Sequence, residues 1–326
     1  MLKVQQEHRL IRLSRSGRLL DWLGPAIRGG LGRYMKHQVC RLPLPEKDER
    51  KYCKGCPHMS TCGYGQTLEP DPPEGARVFA GQEESARPLV VAPHYPVPDK
   101  AKVGDAFPIC LTFIGSSAGG YAPEIWDMLD EVGRQRGLGR QGITFEVVSE
   151  REHPTTIENR PVDLPLSLDA LAGTVRRLGV QLTSPLFLIS KIDGRRRLNL
   201  TPSFSELFRA TLRALGAMHR LYDSPLPADF AGLKEAAEKI ETVDARYELF
   251  TQKHHSSRQN RFSRFRGIVG HAEFANVPLS LARWIVWGGR VHVGVNRVCG
   301  AGGWDVGWSD FDGVGPVPKN RWHWLD

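Results

Sequence analysis

The first half of the chain alternates apolar runs with apolar positions at helical spacing. Residues 9–13 alternate apolar and basic side chains as a strand does, and residues 25–39 repeat their apolar positions with helical spacing. Residues 107–114 form a nearly continuous apolar run typical of a buried strand, residues 122–133 predict the helix after it, and residues 143–148 predict another strand. This order is typical of a split βαβ sandwich, in which helices cover one face of an antiparallel sheet.

The second half contains another set of elements of the same kind. Ser203 and Glu206 have the spacing of a capping box, which marks the start of a helix. The apolar pattern predicts five elements: helices over residues 203–218 and 230–250, a strand over 268–274, a helix over 279–287 and a strand over 290–295. We therefore expect an α+β chain with an N-terminal domain of residues 1–160, interrupted by cysteine-rich residues 40–66, and a C-terminal domain of residues 161–326 with a helical insertion and a glycine-rich loop.

The basic residues outnumber the acidic ones by 44 to 36, a formal net charge of +8, and the excess is concentrated in one segment. Residues 249–272 contain no acidic side chain, and Phe262 and Phe265 are interleaved with five cations: Lys253, Arg258, Arg261, Arg264 and Arg266. A polyanion is the natural partner of such a segment, since cations neutralise phosphates and aromatic rings stack on bases. A basic loop on a solvated surface is the alternative.

The apolar runs are all short. None approaches the roughly 20 residues that cross a bilayer, and the first residues have no apolar run of signal-peptide length. We therefore expect a cytoplasmic protein with no membrane partner. A reducing compartment favours metal-bound or free thiols over disulfides for the six cysteines.

Four of the cysteines lie close together in the sequence. Their spacing is C-x12-C-x2-C-x5-C, formed by Cys40, Cys53, Cys56 and Cys62. Four soft ligands in a short segment suit a tetrahedral structural zinc, which would anchor residues too polar to form a core. The pair separated by two residues supports a metal, whereas the other spacings are irregular. An iron–sulfur cluster and free thiols therefore remain alternatives.

Short motifs follow one another along the whole chain. The first half contains glycines on its first helix, a cysteine pair and a tyrosine-glycine segment: Gly29-Gly30-Leu31-Gly32, Cys53-Lys54-Gly55-Cys56-Pro57, Cys62-Gly63-Tyr64-Gly65 and Leu68-Glu69-Pro70. The second half contains an arginine-glutamine motif, a strand and a terminal glycine-rich loop: Ser256-Ser257-Arg258-Gln259, Gly267-Ile268-Val269-Gly270, Val291-His292-Val293-Gly294 and Gly300-Ala301-Gly302-Gly303. In this order and spacing the motifs resemble those of the CRISPR-associated endoribonucleases of the RAMP superfamily, which process precursor CRISPR RNA.

The resemblance implies a fold, an activity and partners. It implies two tandem ferredoxin-like (RRM-like) domains, binding of CRISPR repeat RNA, and cleavage of the precursor into mature guide RNAs (crRNA) for antiviral defence. The cleavage would need no catalytic cofactor, because a ribose 2′-hydroxyl attacks the adjacent phosphate and leaves a 2′,3′-cyclic phosphate. Other subunits of a CRISPR effector complex would be protein partners. A non-catalytic RAMP subunit that holds or caps guide RNA is the alternative function, and a zinc-dependent nuclease is a third.

The first helix contains the best candidates for this chemistry. Cleavage by an internal 2′-hydroxyl needs a base, an acid and donors to the charged phosphorane. His37 lies four residues after Arg33 and therefore on the same helix face. We expect His37 to act as base or acid, with Arg28 and Arg33 near the scissile phosphate. A site built from arginine and lysine, with His37 a solvated helix residue, is the alternative.

Two glycine-rich turns, residues 137–142 and 294–303, can bring backbone N–H groups close to a phosphate. Neither has a dinucleotide-binding or Walker pattern, so the sequence gives nucleotide hydrolysis little support. Tight turning between elements is the alternative role, and a position inside the sheet is the alternative for His292. With the basic segment, the turns supply the expected RNA contacts: Lys253, Arg258, Gln259, Arg261, Arg264, Arg266, Arg140, His292 and Arg297.

Overall fold

The computed structural model describes residues 2–42, 53, 55–71, 86–139, 141–148, 161–163, 173–192, 194–223, 226, 229–256 and 261–312. The helices are α1 (Gly24–Val39), α2 (Gly63–Thr67), α3 (Ser116–Gly119), α4 (Ala122–Gln135), α5 (Phe204–Tyr222), α6 (Phe230–Glu238) and α7 (Leu279–Val291). The strands are β1 (Lys3–Leu13), β2 (Gly17–Arg18), β3 (Leu89–Pro93), β4 (Lys100–Ala101), β5 (Ala106–Ile114), β6 (Phe145–Val148), β7 (Pro161–Asp163), β8 (Thr174–Leu182), β9 (Ile189–Ile192), β10 (Arg195–Leu198), β11 (Thr242–Ser256), β12 (Arg261–Pro278) and β13 (Trp304–Asp312). Within these ranges no helix is long and apolar enough to span a membrane.

The first compact unit comprises Met1–Leu164 and Ala217–Pro225 and is built on an antiparallel sheet. Its strands are hydrogen-bonded in the order β3-β5-β1-β6, and β7 also pairs with β1. Side chains of the sheet, α1 and α4 join in one buried core, which includes Leu31, Phe113, Trp126 and Phe145. Gly133 permits α4 to approach the sheet closely, because a Cβ there would lie 2.4 Å from the Phe145 carbonyl oxygen.

The second compact unit comprises Pro165–Gly216 and Leu226–Asp326. Its antiparallel sheet has the strand order β11-β12-β8-β13, and β9 and β10 form a separate two-stranded ribbon. The core brings aromatic side chains of α5, β12 and α7 together, with ring centroids of neighbouring pairs 5.2–6.4 Å apart: Phe204, Phe208, Phe274 and Trp284. Burial of such large rings against a sheet is the main favourable term for this unit.

The predicted α+β class is confirmed, since both units combine helices with antiparallel sheets. Four of the elements predicted in the first half lie within β1, α1, β5 and α4, and the strand predicted over residues 143–148 overlaps β6, which begins two residues later. One half of the predicted capping box forms, because the Glu206 carboxylate accepts a hydrogen bond of 3.0 Å from the Ser203 backbone N–H, whereas the Glu206 N–H donates to the Ser203 carbonyl oxygen at 3.2 Å.

Two predicted elements of the second half are wrong. The helix expected over residues 230–250 ends at Glu238, and residues 242–256 are strand β11. A long ladder with β12, interrupted only by a register shift between Thr242 and Asp244, outweighs the helical spacing of apolar positions. The strand expected over residues 290–295 does not form. Instead α7 continues to Val291, and β13 takes the place beside β8.

Candidate functional site

Helix α1 presents the predicted catalytic histidine on its exposed face. Ile27, Leu31 and Met35 are buried in the core, which leaves Arg33 and His37, four residues apart, on the solvent side. In this arrangement the histidine can accept or donate a proton, and the arginine can stabilise an anionic phosphate from the same side.

Arg28 lies on another side of α1. Five residues separate it from Arg33, which corresponds to about 140° of rotation around the helix. Its guanidinium Nη2 donates a hydrogen bond of 3.3 Å to the Leu68 carbonyl oxygen. The structure therefore brings Arg33 and His37 to one face, and it directs Arg28 toward the segment that follows the cysteines.

The segment after the cysteines packs against α1. Leu68 is 1% exposed and packs beside Gly32, where a Cβ would be in ordinary van der Waals contact with its Cδ1 atom at 3.6 Å. Glu69 accepts a hydrogen bond of 3.3 Å from Nη2 of Arg87. These contacts give the glycine and glutamate motifs of the first half a packing role.

The four clustered cysteines are free, half-buried thiols. Cys40 follows the last residue of α1, and the Cys56 N–H donates to the Cys53 carbonyl oxygen at 3.0 Å across a turn in which Gly55 has φ of 67°. Burial, followed by the charges of Cys62, Glu69, Cys56 and Cys40, raises the pKa of Cys53 to about 12. Among the described residues, no group of three or more His, Cys, Asp or Glu side chains is arranged to hold a metal ion.

The basic segment is a β-hairpin whose two faces differ. Lys253 lies directly opposite Arg264, and Arg266 lies opposite Thr251. The three cations, Lys253, Arg264 and Arg266, are exposed. On the other face the Phe265 ring lies 5.8 Å from the Phe187 ring and 4.9 Å from the imidazole of His254. A cationic face above an aromatic one suits binding of a phosphate backbone.

Three of the expected RNA contacts cannot be placed. Arg140, Arg258 and Gln259 lie outside the described residues. Arg261 begins β12, but its side chain is likewise outside the described part of the structure.

His292 lies beneath the second glycine-rich turn and is only 7% exposed. It adopts φ of 60° directly after α7, and its Nδ1 atom lies 3.1 Å from the Ala301 carbonyl oxygen. A Cβ at Gly303 would be 2.5 Å from the imidazole Cε1 atom, so the ring occupies the space that glycine leaves. Burial lowers the pKa of His292 to about 4, which keeps the imidazole neutral and able to donate to the loop.

The tip of the same turn is more exposed than its base. Gly300, Ala301 and Gly302 are buried, whereas Val295 is 47% exposed. Arg297 is half-buried at the tip, and its Nη1 atom donates to the Val291 carbonyl oxygen at 3.4 Å. The geometry therefore makes His292 a support beneath the turn, with Arg297 nearer its exposed end.

The sequence-based list of functional residues missed a third cationic surface. Arg195, Arg196 and Arg197 are exposed on the ribbon formed by β9 and β10. Three consecutive arginines were the available signal in the sequence, and the ribbon that displays them was not predicted.

Two family models together match most of the chain. Residues 3–163 match a model described as an N-terminal domain, and residues 180–304 match the model of the CRISPR-associated endoribonuclease Cas6. Among curated proteins there is no match to the chain.

Solved structures with the same fold cover nearly the whole chain. A Thermus thermophilus Cas6 product complex is 15% identical, with a TM-score of 0.56 over 94% of this chain and 100% of that one. A partial Cas6-RT-Cas1–Cas2 complex is 14% identical, with a TM-score of 0.51 over 95% of this chain and 46% of that one. The likeness extends through both units and confirms the predicted tandem ferredoxin-like fold.

Proposed function

Because residues 180–304 match the model of the CRISPR-associated endoribonuclease Cas6, we propose that this chain is a Cas6 endoribonuclease of the RAMP superfamily, which binds CRISPR repeat RNA and cleaves precursor crRNA within the repeats. The observation that carries the proposal is the family match of residues 180–304, which includes the basic hairpin and the glycine-rich turn. Those two elements supply cations and a close backbone approach to an RNA backbone.

The reaction proposed is attack by a ribose 2′-hydroxyl on the adjacent phosphorus. The P–O5′ bond breaks, the products are a 2′,3′-cyclic phosphate and a 5′-hydroxyl, and the proton lost by the 2′-oxygen is balanced by one delivered to the 5′-oxygen. His37 acts as base or acid in one of these transfers, and Arg33 on the same face stabilises the charged phosphorane. The contact of Arg28 with Leu68 supports a positioning role for that arginine.

Cleavage of repeat RNA in the presence of EDTA tests this proposal. Wild type should cut, a substrate with 2′-deoxyribose at the cut site should resist, and His37→Ala should bind normally but cut about 10²- to 10⁴-fold more slowly. His94→Ala removes another exposed histidine of the same unit and serves as the matched control.

Each other outcome has a definite meaning. Undiminished cutting by His37→Ala would move the chemistry to arginine and lysine side chains. Binding without cutting by wild type would identify a non-catalytic subunit that holds guide RNA. Loss of activity with EDTA would indicate a metal-dependent nuclease.

We also propose that Cys40, Cys53, Cys56 and Cys62 bind a structural zinc ion. The turn between Cys53 and Cys56 supports the proposal. So does the raised pKa of Cys53, since burial and then the negative charges of Cys62, Glu69, Cys56 and Cys40 disfavour its thiolate, and a divalent cation would offset that repulsion. Metal analysis of the purified protein should give about one zinc per chain, and Cys53→Ser with Cys56→Ser should lose it. Purified wild type that contains no zinc would contradict this proposal.

We propose further that other CRISPR proteins associate with this chain. One structure of similar fold is a Cas6-RT-Cas1–Cas2 complex, which supports partners of this class. Co-purification of the tagged chain with the CRISPR proteins of its host should recover such an assembly, and recovery of the chain alone would contradict it.

A further inference from the structure

The ribbon formed by β9 and β10 carries a dense positive charge. Residues 189–198 contain four cations and one acidic residue, so the ribbon has a formal charge of +3. Arg195, Arg196 and Arg197 are all exposed, and Gly194 turns the chain with φ of 73° just before them. This charge is carried by only two paired strands.

Among the described residues, the three arginines have no acidic partner. Arg177 of β8, by contrast, pairs with Glu273 at 3.4 Å. The strand register places Arg196 directly opposite Lys191, and like charges in opposite positions destabilise a strand pair. The ribbon therefore bears a cost in stability that an anionic ligand would remove.

Both faces of the ribbon carry part of the charge. Side chains alternate between the two faces of a strand, so Arg195 and Arg197 point to one side and Arg196 to the other. A single carboxylate reaches only one side, whereas a polyanion can follow both. Guanidinium groups are well suited to phosphate because their planar donors match its oxygens.

A buried polar network fixes the base of the ribbon. Asn199 is 5% exposed, and its Nδ2 atom donates to Oε1 of Glu206 at 2.6 Å and to Oγ of Ser190 at 3.2 Å. The Asn199 backbone N–H also donates to the Leu188 carbonyl oxygen at 2.8 Å. The arginines are thus presented from a rigid base, which lowers the entropy lost when a ligand binds.

We propose that the ribbon of residues 189–198 is an additional, sequence-independent binding surface for RNA phosphates, separate from the β11–β12 hairpin. The inference rests on the proposed function, since repeat RNA is the polyanion that a Cas6 family member binds. Contacts to phosphate carry no base information, so the ribbon adds affinity and leaves the choice of sequence to other residues.

The test compares two variants that lose the same charge. One is Arg195→Gln with Arg196→Gln and Arg197→Gln, and the control combines substitutions by glutamine at three exposed cations away from the ribbon: Arg213, Lys234 and Lys239. Dissociation constants are measured from about 50 to 300 mM salt for two repeat RNAs, one unstructured and one with a base-paired stem.

The ribbon variant should weaken binding and reduce the slope of log K against log salt. Each lost contact removes about 0.9 from the slope on duplex RNA or about 0.7 on a single strand, so three contacts remove about 2 to 3. Whichever of the two RNAs shows the reduced slope tells whether the ribbon binds single-stranded or base-paired RNA. Equal slopes for the ribbon variant and the control on both RNAs would overturn the proposal.

Failure of the proposed function gives a different result. In that case wild type itself neither binds repeat RNA selectively nor cuts it, whatever the state of the ribbon. If only the ribbon proposal fails, wild type binds and cuts, and the ribbon variant keeps the salt dependence of the control.

Discussion

Burial separates the two histidines that the sequence offers most clearly. His37 is exposed on α1, where it can reach a substrate, whereas His292 is 7% exposed and lies 3.1 Å from the Ala301 carbonyl oxygen. The sequence predicted a catalytic role for His37 and RNA contact for His292, with a position inside the sheet as the alternative for His292. The structure supports a positioning role for His292, since its ring fills the space beside Gly303 and supports the glycine-rich turn.

The depressed pKa of His292 makes stability depend on pH. Burial lowers this pKa from 6.5 to about 4, so between these values the unfolded chain takes up a proton that the folded chain excludes. The free energy of unfolding therefore falls as pH decreases from about 6.5 to 4, and this residue accounts for about 3 kcal/mol of the loss. Above pH 6.5 the contribution of His292 is fully present.

Urea unfolding of wild type and His292→Asn at several pH values tests this expectation. The stability difference between them should be largest at pH 7 and shrink toward pH 4, since the variant lacks the titrating group. Val293→Ala removes a fully buried neighbour that has no charge, and its effect should be the same at every pH. A constant difference for His292→Asn would show that the imidazole does not titrate in this range.

At the scale of elements, the β11–β12 hairpin has the same feature as the β9–β10 ribbon. Lys253 is opposite Arg264, both are exposed, and neither forms an ion pair with a described residue. Like charges in directly opposed positions repel, so this arrangement is not one that stability favours. The arrangement fits the RNA-binding role proposed for the hairpin, since an anionic ligand would relieve the repulsion.

Lys253→Glu should separate stability from binding. An opposite-charge pair with Arg264 should raise the free energy of unfolding by about 0.2–1 kcal/mol, while the affinity for repeat RNA should fall. Lys253→Gln, which removes the repulsion without adding an attraction, should lie between wild type and Lys253→Glu in stability. Tighter RNA binding by Lys253→Glu would exclude this face from the interface.

Elements that could be predicted are those in which local pattern and tertiary packing agree. Helix α1 and strand β5 have single, strong apolar patterns, and both were predicted nearly to their ends. Residues 242–256 have apolar positions that fit either period, and only pairing with β12, the next strand along the chain, decides for a strand. The ribbon was missed because its base depends on a side-chain network around Asn199 that no sequence period displays.

At the scale of the molecule, the residues predicted to be functional belong to both compact units. Arg33 and His37 belong to the first unit, and the hairpin, the glycine-rich turn and the ribbon belong to the second. The residue types of the site could be predicted from the sequence, because its chemistry needs cations and a proton carrier near an RNA backbone. The exposure of these residues could not be predicted, because burial is decided by packing between elements.

The two cationic surfaces of the second unit predict how the whole protein responds to salt. If one RNA molecule occupies both at once, each surface releases its own counterions and the two contributions add. The hairpin variant Lys253→Gln, Arg264→Gln and Arg266→Gln should lower the slope of log K against log salt by about 2 to 3. Combined with the substitutions in the ribbon, the loss should be close to the sum of the two.

Competition between the surfaces would give another pattern. If RNA binds either the hairpin or the ribbon but not both, loss of one surface leaves the other to bind, so each variant alone changes the slope little and only the combination abolishes binding. Additive slopes therefore require a single RNA path across both surfaces. Because glutamine keeps a polar side chain at each position, melting temperatures no lower than that of wild type for the three variants would assign the difference to RNA binding.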